Sequence, residues 1–240
     1  DKVWQNSYVN DYGVFAETRF ILNKKNIFNF GARIDHIVSE SRDRDESFSE
    51  LYPDNGKRNE QLFSGTVAYK HLLKENYSLE LSYGRGARPA NMEERYIAFF
   101  NIGRDPYEYV GNPNLKPEVN NQFELGFKGK EVYIGTLKNF NFSVSAFYSI
   151  YENYIVGLVD ESLTRKNMPN QPPVHPKVFR NLDEAYKTGF ELSGELVFKS
   201  GIKLGTDLAY TYTQNEDLGE SLPLSPPLVS RSRLEYESSK

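Results

Sequence analysis

Asn139-Phe140-Asn141-Phe142-Ser143-Val144-Ser145-Ala146-Phe147-Tyr148-Ser149-Ile150 is the stretch that decides the fold. Phe140, Phe142, Val144, Ala146, Tyr148 and Ile150 occupy every second position. Asn139, Asn141, Ser143, Ser145 and Ser149 fill the positions between, with Phe147 the exception. Alternate side chains of a β-strand point to opposite faces, so this pattern predicts a strand with one apolar and one polar face. Tyr77, Leu79, Leu81 and Tyr83 alternate in the same way with Ser78, Glu80, Ser82 and Gly84. Ile202, Leu204, Leu208, Tyr210 and Tyr212 alternate with Lys203, Gly205, Asp207, Ala209 and Thr211. Weaker versions run through Tyr12–Leu22, Ile27–Ile37, Leu62–His71, Gln122–Lys128, Phe190–Phe198 and Leu228–Tyr236. The pattern thus predicts about nine strands and an all-β, antiparallel chain. Many are about the ~9–11 residues that a tilted strand needs to cross a bilayer, against ~5–6 in soluble sheets. No 3.6-residue stripe appears; the nearest helical segment, Asn91–Phe100, allows one or two turns inside a loop.

Working outward, the connections alternate in length. Short turns fall at Asn23–Asn26, Lys74–Asn76 and Lys199–Gly201, with a slightly longer one at Gly129–Lys138. Long polar loops fall between them, at Ser39–Asn59, Ala87–Pro117, Gly157–Arg180 and Asn215–Leu222. That segregation follows if the short turns lie on one side of a membrane and the long loops on the other, as in bacterial outer-membrane barrels. A soluble sandwich has no reason to sort its loops so. Composition agrees with a transmembrane barrel. Mean hydropathy is −0.63, and no apolar run reaches the ~18 residues of a membrane helix. Yet aromatics make up 14%, with 17 Tyr and 16 Phe. A barrel needs lipid-facing residues only at alternate positions, with aromatic girdles at both interfaces. The 240 residues contain no cysteine, which excludes disulfides and thiolate metal sites. The net charge of −4, without a basic block, argues against a nucleic-acid partner.

Several stretches resemble the TonB-dependent receptor family. Gly111-Asn112-Pro113-Asn114-Leu115-Lys116-Pro117-Glu118 is similar to the signature that opens a barrel strand there, and Phe123-Glu124-Leu125-Gly126 follows it as in the family. Tyr83-Gly84-Arg85-Gly86-Ala87-Arg88-Pro89 resembles a strand end, and Phe142 to Ile155 a further family strand. Asn181, Ala185, Gly189 and Glu191 fit another family pattern, as does Leu222-Pro223-Leu224-Ser225-Pro226-Pro227. The resemblance covers Tyr12 to Tyr236. It implies that residues 1–240 form part of a closed barrel of about 22 strands, with the plug domain and the C-terminal strands absent from this sequence. It further implies an outer-membrane receptor, not an enzyme, that imports a chelated nutrient. An iron-siderophore is the first expectation; cobalamin, haem, copper and sugars are the family's other ligands. The expected partners are outer-membrane lipid and the TonB complex, the latter acting through the plug. Glu94-Arg95-Tyr96 and the Pro-Leu region near Leu222 also resemble the copper-receptor branch, but Met92 and Met168 are the sole soft ligands. No resident cofactor is expected.

The loop Ala87–Pro117 carries the candidate ligand-binding residues Arg88, Arg104, Tyr107 and Tyr109. Arginine offers planar donors to carboxylate or catecholate oxygens, and tyrosine stacks on aromatic ligands. The alternative is a loop folded on its own aromatics, with Arg88 part of the strand-end pattern. His36, His71 and His175 have no neighbours at metal-ligand spacing, so no metal site is expected. The acidic run Asp43, Asp45, Glu46 and Glu50 lacks the offsets of a calcium loop and reads as a solvated segment. Glu80, Glu124, Glu191, Glu195, Lys203 and Asp207 fall on polar strand faces and are expected to line a watery lumen and bridge neighbouring strands or the plug. Catalytic motifs such as a nucleophile elbow, a P-loop or a zinc-binding His pair are absent from the sequence. A passive porin, an adhesion barrel and a soluble all-β binding domain are the competing readings.

Overall fold

A computed structural model describes residues 4–44, 46–54, 57–103, 105–135, 137–164, 174–223 and 225–238. Ten strands form one sheet: β1 Asn6–Asn23, β2 Asn26–Asp43, β3 Arg58–Lys74, β4 Tyr77–Arg88, β5 Tyr109–Val110, β6 Glu118–Val132, β7 Leu137–Val159, β8 Lys177–Phe198, β9 Ile202–Asn215 and β10 Val229–Tyr236. The order is β1-β2-β3-β4-β6-β7-β8-β9-β10, every neighbour antiparallel, and β5 stands off this path, paired parallel to β8. Consecutive hairpins place all four short turns at one end of the sheet and all four long loops at the other. β1 and β10 are the two edges, so the sheet is an open arc of a larger barrel wall.

Register fixes which face meets what. Val67 pairs with Tyr83, Tyr83 with Phe123, Phe123 with Tyr148, and Thr188 with Tyr212, so one face carries most of the apolar residues of β3 to β9. Val67, Leu81, Leu125, Val144 and Leu192 on this face are exposed. A second layer over them is absent among the described residues, and so large a continuous apolar surface fits lipid, not water. Aromatic belts bound the aliphatic band. Phe28 with Tyr69 and Tyr77 with Phe127 mark the turn end, their ring centroids 4.8 and 6.0 Å apart. Tyr83 with Phe123 and Tyr148 with Tyr186 mark the loop end, at 4.9 and 5.8 Å. The opposite face is polar. There Lys70 and Lys128 both reach Glu80, Arg233 reaches Glu195, Lys203 reaches Glu237, and Ser193 donates to Asp207. Three of the six polar-face charges, Glu80, Glu195 and Asp207, therefore bridge strands, and Lys203 reaches the residue after β10. Phe147, the exception in the pattern, lies over Gly189: a Cβ there would sit 2.9 Å from its ring.

Three features depart from the sequence expectation. First, β7 and β8 run for 23 and 22 residues, far past the apolar alternation, so the ends of the expected loop Gly157–Arg180 are strand. Beyond the lipid band both faces meet water or loops, and selection for alternation lapses while backbone pairing continues. Second, Glu46–Leu51 forms a short helix, α1, where a solvated acidic segment was expected, and its Phe48 is fully buried. Asp45 of that run lies outside the described residues. Third, the buried clusters lie at the loop end, where the long loops pack as a cap on β5 and the ends of β7 and β8. Ala90, Ile97, Tyr109, Leu115, Ile155 and Phe179 form one cluster; Phe48, Ala98, Val110 and Val178 form another. A barrel lined with polar residues has no apolar interior of its own, so the loops supply one.

Candidate functional site

The cap is organised by the segment Pro89–Pro117. Helix α2, Met92–Tyr96, opens on Asn91. The Asn91 side chain accepts from the Glu94 N–H at 2.7 Å, and the Glu94 carboxylate accepts from the Asn91 N–H at 2.8 Å. This capping box satisfies donors that a helix start leaves unpaired. Arg95 is fully buried; its Nη2 meets Glu60 Oε1 on β3 at 2.6 Å and its Nε donates to the Ala90 carbonyl at 3.2 Å. The Gly111–Glu118 stretch then returns the chain to the sheet, and each of its polar groups has a task. Gly111 approaches α2 so closely that a Cβ would lie 2.5 Å from the Arg95 carbonyl carbon. Asn112 donates to the Phe179 carbonyl, Pro113 accepts from Arg58, and the Asn181 side chain both accepts from and donates to the Lys116 backbone. The motif is thus a latch between the loop and β3, β7 and β8.

Arg88, at the end of β4, is held by two carboxylates: Nη1 to Glu94 at 2.9 Å and Nη2 to Glu118 at 3.0 Å. Glu118 also accepts from the Ile155 N–H at 3.0 Å. Arg88 therefore ties β4, α2, β6 and β7 together. Tyr109 is buried, its ring 5.3 Å from Phe179, and its hydroxyl donates to Asp105 at 2.9 Å. Lys177, which begins β8, reaches Asp105 at 2.5 Å and sits 4.7 Å above the Tyr107 ring. Burial alone would push the Asp105 carboxyl up, but donation from Lys177, the Tyr107 N–H and the Tyr109 hydroxyl outweighs it and holds the group below the usual carboxylate range. Tyr107 and Tyr109 are thus brought together, with Arg88 on the far side of Glu94. Arg104 lies outside the described residues.

Lys177, Asp105, Tyr109, Glu94, Phe179, Tyr154 and Pro223 line a cavity of about 160 Å³ between the cap and the β7–β8 wall. Beside it, Lys187 of β8 projects from the polar face, its Nζ 4.8 Å from the Tyr151 ring and 5.4 Å from that of Tyr154. Strict alternation would put Tyr154 on the opposite face from Tyr151. Asn153 between them has a φ of 55°, a left-handed backbone that asparagine tolerates better than most residues, and the two rings meet edge to face at 5.4 Å. Among the described residues, Lys187 forms no ion pair. A cation held by two aromatic faces keeps its hydrogen-bond donors for another group; the ring contacts are worth about 0.5–2 kcal/mol. Sequence reasoning missed Lys177, Lys187, Asp105, Tyr151 and Tyr154. The available signal was Lys187 on a polar face opposite a close pair of tyrosines. The three histidines are not gathered: among the described residues, no group of three or more His, Asp or Glu side chains is placed to hold a metal ion.

No curated protein matches the chain. Solved structures share its fold. The "Copper transporter OprC" superposes with a TM-score of 0.75 at 22% identity, over 97% of this chain and 33% of that one. The ferric enterobactin receptor PfeA gives 0.68 at 19% identity, over 96% and 31%. The siderophore receptor PirA from Pseudomonas aeruginosa gives 0.62 at 15% identity, over 97% and 46%. The chain thus spans about a third to a half of these proteins. The family model for the β-barrel of TonB dependent receptor-like proteins, transporters of the bacterial outer membrane rather than enzymes, matches residues 3–239. With the open antiparallel arc, the two aromatic belts and the loop cap, that match identifies the chain as a member of the TonB-dependent receptor β-barrel family.

Proposed function

We propose that this chain forms part of the wall of an outer-membrane receptor that takes up a chelated nutrient by TonB-dependent transport, with an iron-siderophore as the first candidate ligand. The observation that carries the reading is the lumen-side site at the loop end. There Lys187, without an ion pair among the described residues, lies beside two tyrosines, next to the cavity walled by Lys177, Asp105 and Tyr109. Ammonium donors and phenol rings grouped in one place suit a ligand with anionic oxygens and flat surfaces. Tyr107 and Tyr109 belong to the loop that overhangs this site, and Arg88 positions it; Arg104 is a candidate from the sequence alone. In the complete receptor a plug domain couples the barrel to the TonB complex, and the apolar belt stands in the outer membrane. The test is ligand affinity of the complete receptor with Lys187→Gln and, separately, with Arg104→Ala and Tyr107→Ala together. Each is expected to weaken binding by about tenfold, a loss near 1.4 kcal/mol. Unchanged affinity in both removes the site from this place.

A further inference from the structure

The two ends of the sheet use different cations. At the loop end they are largely arginines, and Arg88, Arg95 and Arg180 are each paired with a carboxylate of this chain. At the turn end they are largely lysines. Three that face the lumen are paired as well: Lys70 and Lys128 with Glu80 at 2.9 and 2.6 Å, Lys203 with Glu237 at 3.0 Å. The rim itself differs. Lys24 and Lys25 in the β1–β2 turn, Lys74 at the end of β3, Lys130 near the end of β6, Lys138 at the start of β7 and Lys199 after β8 are all exposed. Among the described residues, none of these six forms an ion pair. Glu235 and Glu237 line a polar pocket with Lys138 and Lys199 but are already paired with Arg233 and Lys203. Among the described residues that leaves Glu75 and Glu131 on the rim, too few to balance the lysines. Like Lys187 in the lumen, these six keep their charge for a group outside the chain.

What lies outside follows from the neighbouring surface. The turn-end aromatic belt of Phe28, Tyr69, Tyr77, Phe127 and Phe142 stands next to the rim on the apolar face. Such belts sit at the level of lipid headgroups. A lysine at that depth lays its stem along apolar surface and extends a compact charge towards the headgroups. We propose that this lysine rim binds the phosphate groups of anionic phospholipids in the leaflet facing the short turns, selecting them over zwitterionic lipid. The proposal rests on the membrane-spanning reading above and is independent of the transported ligand.

The complete receptor is reconstituted into vesicles of phosphatidylcholine containing roughly one-quarter phosphatidylglycerol, re-extracted in mild detergent, and its retained lipid weighed by mass spectrometry. Phosphatidylglycerol is expected to be enriched several-fold over the bulk. Substitution of all six lysines by glutamine returns retained lipid to the bulk composition; substitution by arginine preserves the enrichment. Heat-dependent gel mobility reports the folded barrel in each case. If the glutamine set does not fold, the triples Lys24, Lys25 and Lys74, and Lys130, Lys138 and Lys199, are read separately, each expected to lose about half the enrichment. Bulk composition around the unsubstituted receptor, or enrichment that survives loss of the lysine charge, overturns the proposal alone. Failure of the unsubstituted receptor to insert into any vesicle overturns the membrane reading beneath it.

Discussion

Replacing Arg95 by methionine should loosen the cap without unfolding the barrel. Arg95 is fully buried and its partner Glu60 nearly so, and the 2.6 Å contact between them joins α2 to β3. Removing the guanidinium strands the Glu60 carboxylate among buried groups, a change that costs about 3–5 kcal/mol in comparable pairs. The lost bond to the Ala90 carbonyl adds about 1 kcal/mol. The penalty falls on the local opening of the cap, because the strand ladder below does not depend on Arg95. At about 1.4 kcal/mol per factor of ten, amide exchange in residues 89–117 should accelerate by roughly three to four orders of magnitude. Exchange in the strand cores of β6 to β9 should stay as it was. The double substitution Arg95→Met with Glu60→Leu removes both charges and should recover most of the loss, since apolar replacement of a whole buried pair is often neutral. Hydrogen exchange followed by mass spectrometry on the complete receptor reads all three. A double substitution as damaging as the single one, or a single one without effect, refutes the argument that the pair acts through burial of an unmatched charge.

Other consequences are as direct. Gly111→Ala forces a Cβ against the Arg95 backbone, which has little room to give, and should destabilise the cap by about 1–3 kcal/mol, read by the same exchange measurement. Gly189→Ala would press on the Phe147 ring and the Tyr210 carbonyl in the wall itself; it should destabilise the barrel by about 1–3 kcal/mol, read as a lower urea midpoint. Asp105 is held below the usual carboxylate range, so its tether to Lys177 is present above the free carboxyl's pKa and is lost only as pH falls through the lower, folded value. Protease cutting within residues 99–108 should therefore rise only in strong acid, and Asp105→Asn should abolish that acid step. Asn181→Ala removes two bonds to the Lys116 backbone and one to Asn153; it should cost about 0.5–1.5 kcal/mol for each bond, seen as faster exchange at Lys116.

The wall was legible because period-two alternation is a local signal: Phe140 to Ile150 carries its own instruction, and the turn lengths supply the topology. The cap was not. Phe48 sits in an acidic stretch with no apolar periodicity, and its burial depends on Ala98, Val110 and Val178, which strand pairing brings to it. Lys187 reads as an ordinary polar-face residue of β8; its significance comes from the register that sets Tyr151 beside it and from the left-handed turn at Asn153 that brings Tyr154 round. Arg88 was legible as a strand-end residue, but its two carboxylate partners come from 6 and 30 positions away. The Gly111–Glu118 motif was visible as a pattern long before its purpose as a latch could be seen.

The cap's core also imposes an order of assembly. Phe48, Ala98, Val110 and Val178 come from three separate stretches of chain, and they meet only once β3 to β8 have found their register. Contacts so distant in sequence are slow to form, because loop closure must precede any gain from them. The cap is therefore the last part of this chain to close, and its resistance to protease marks a wall that has finished zipping together.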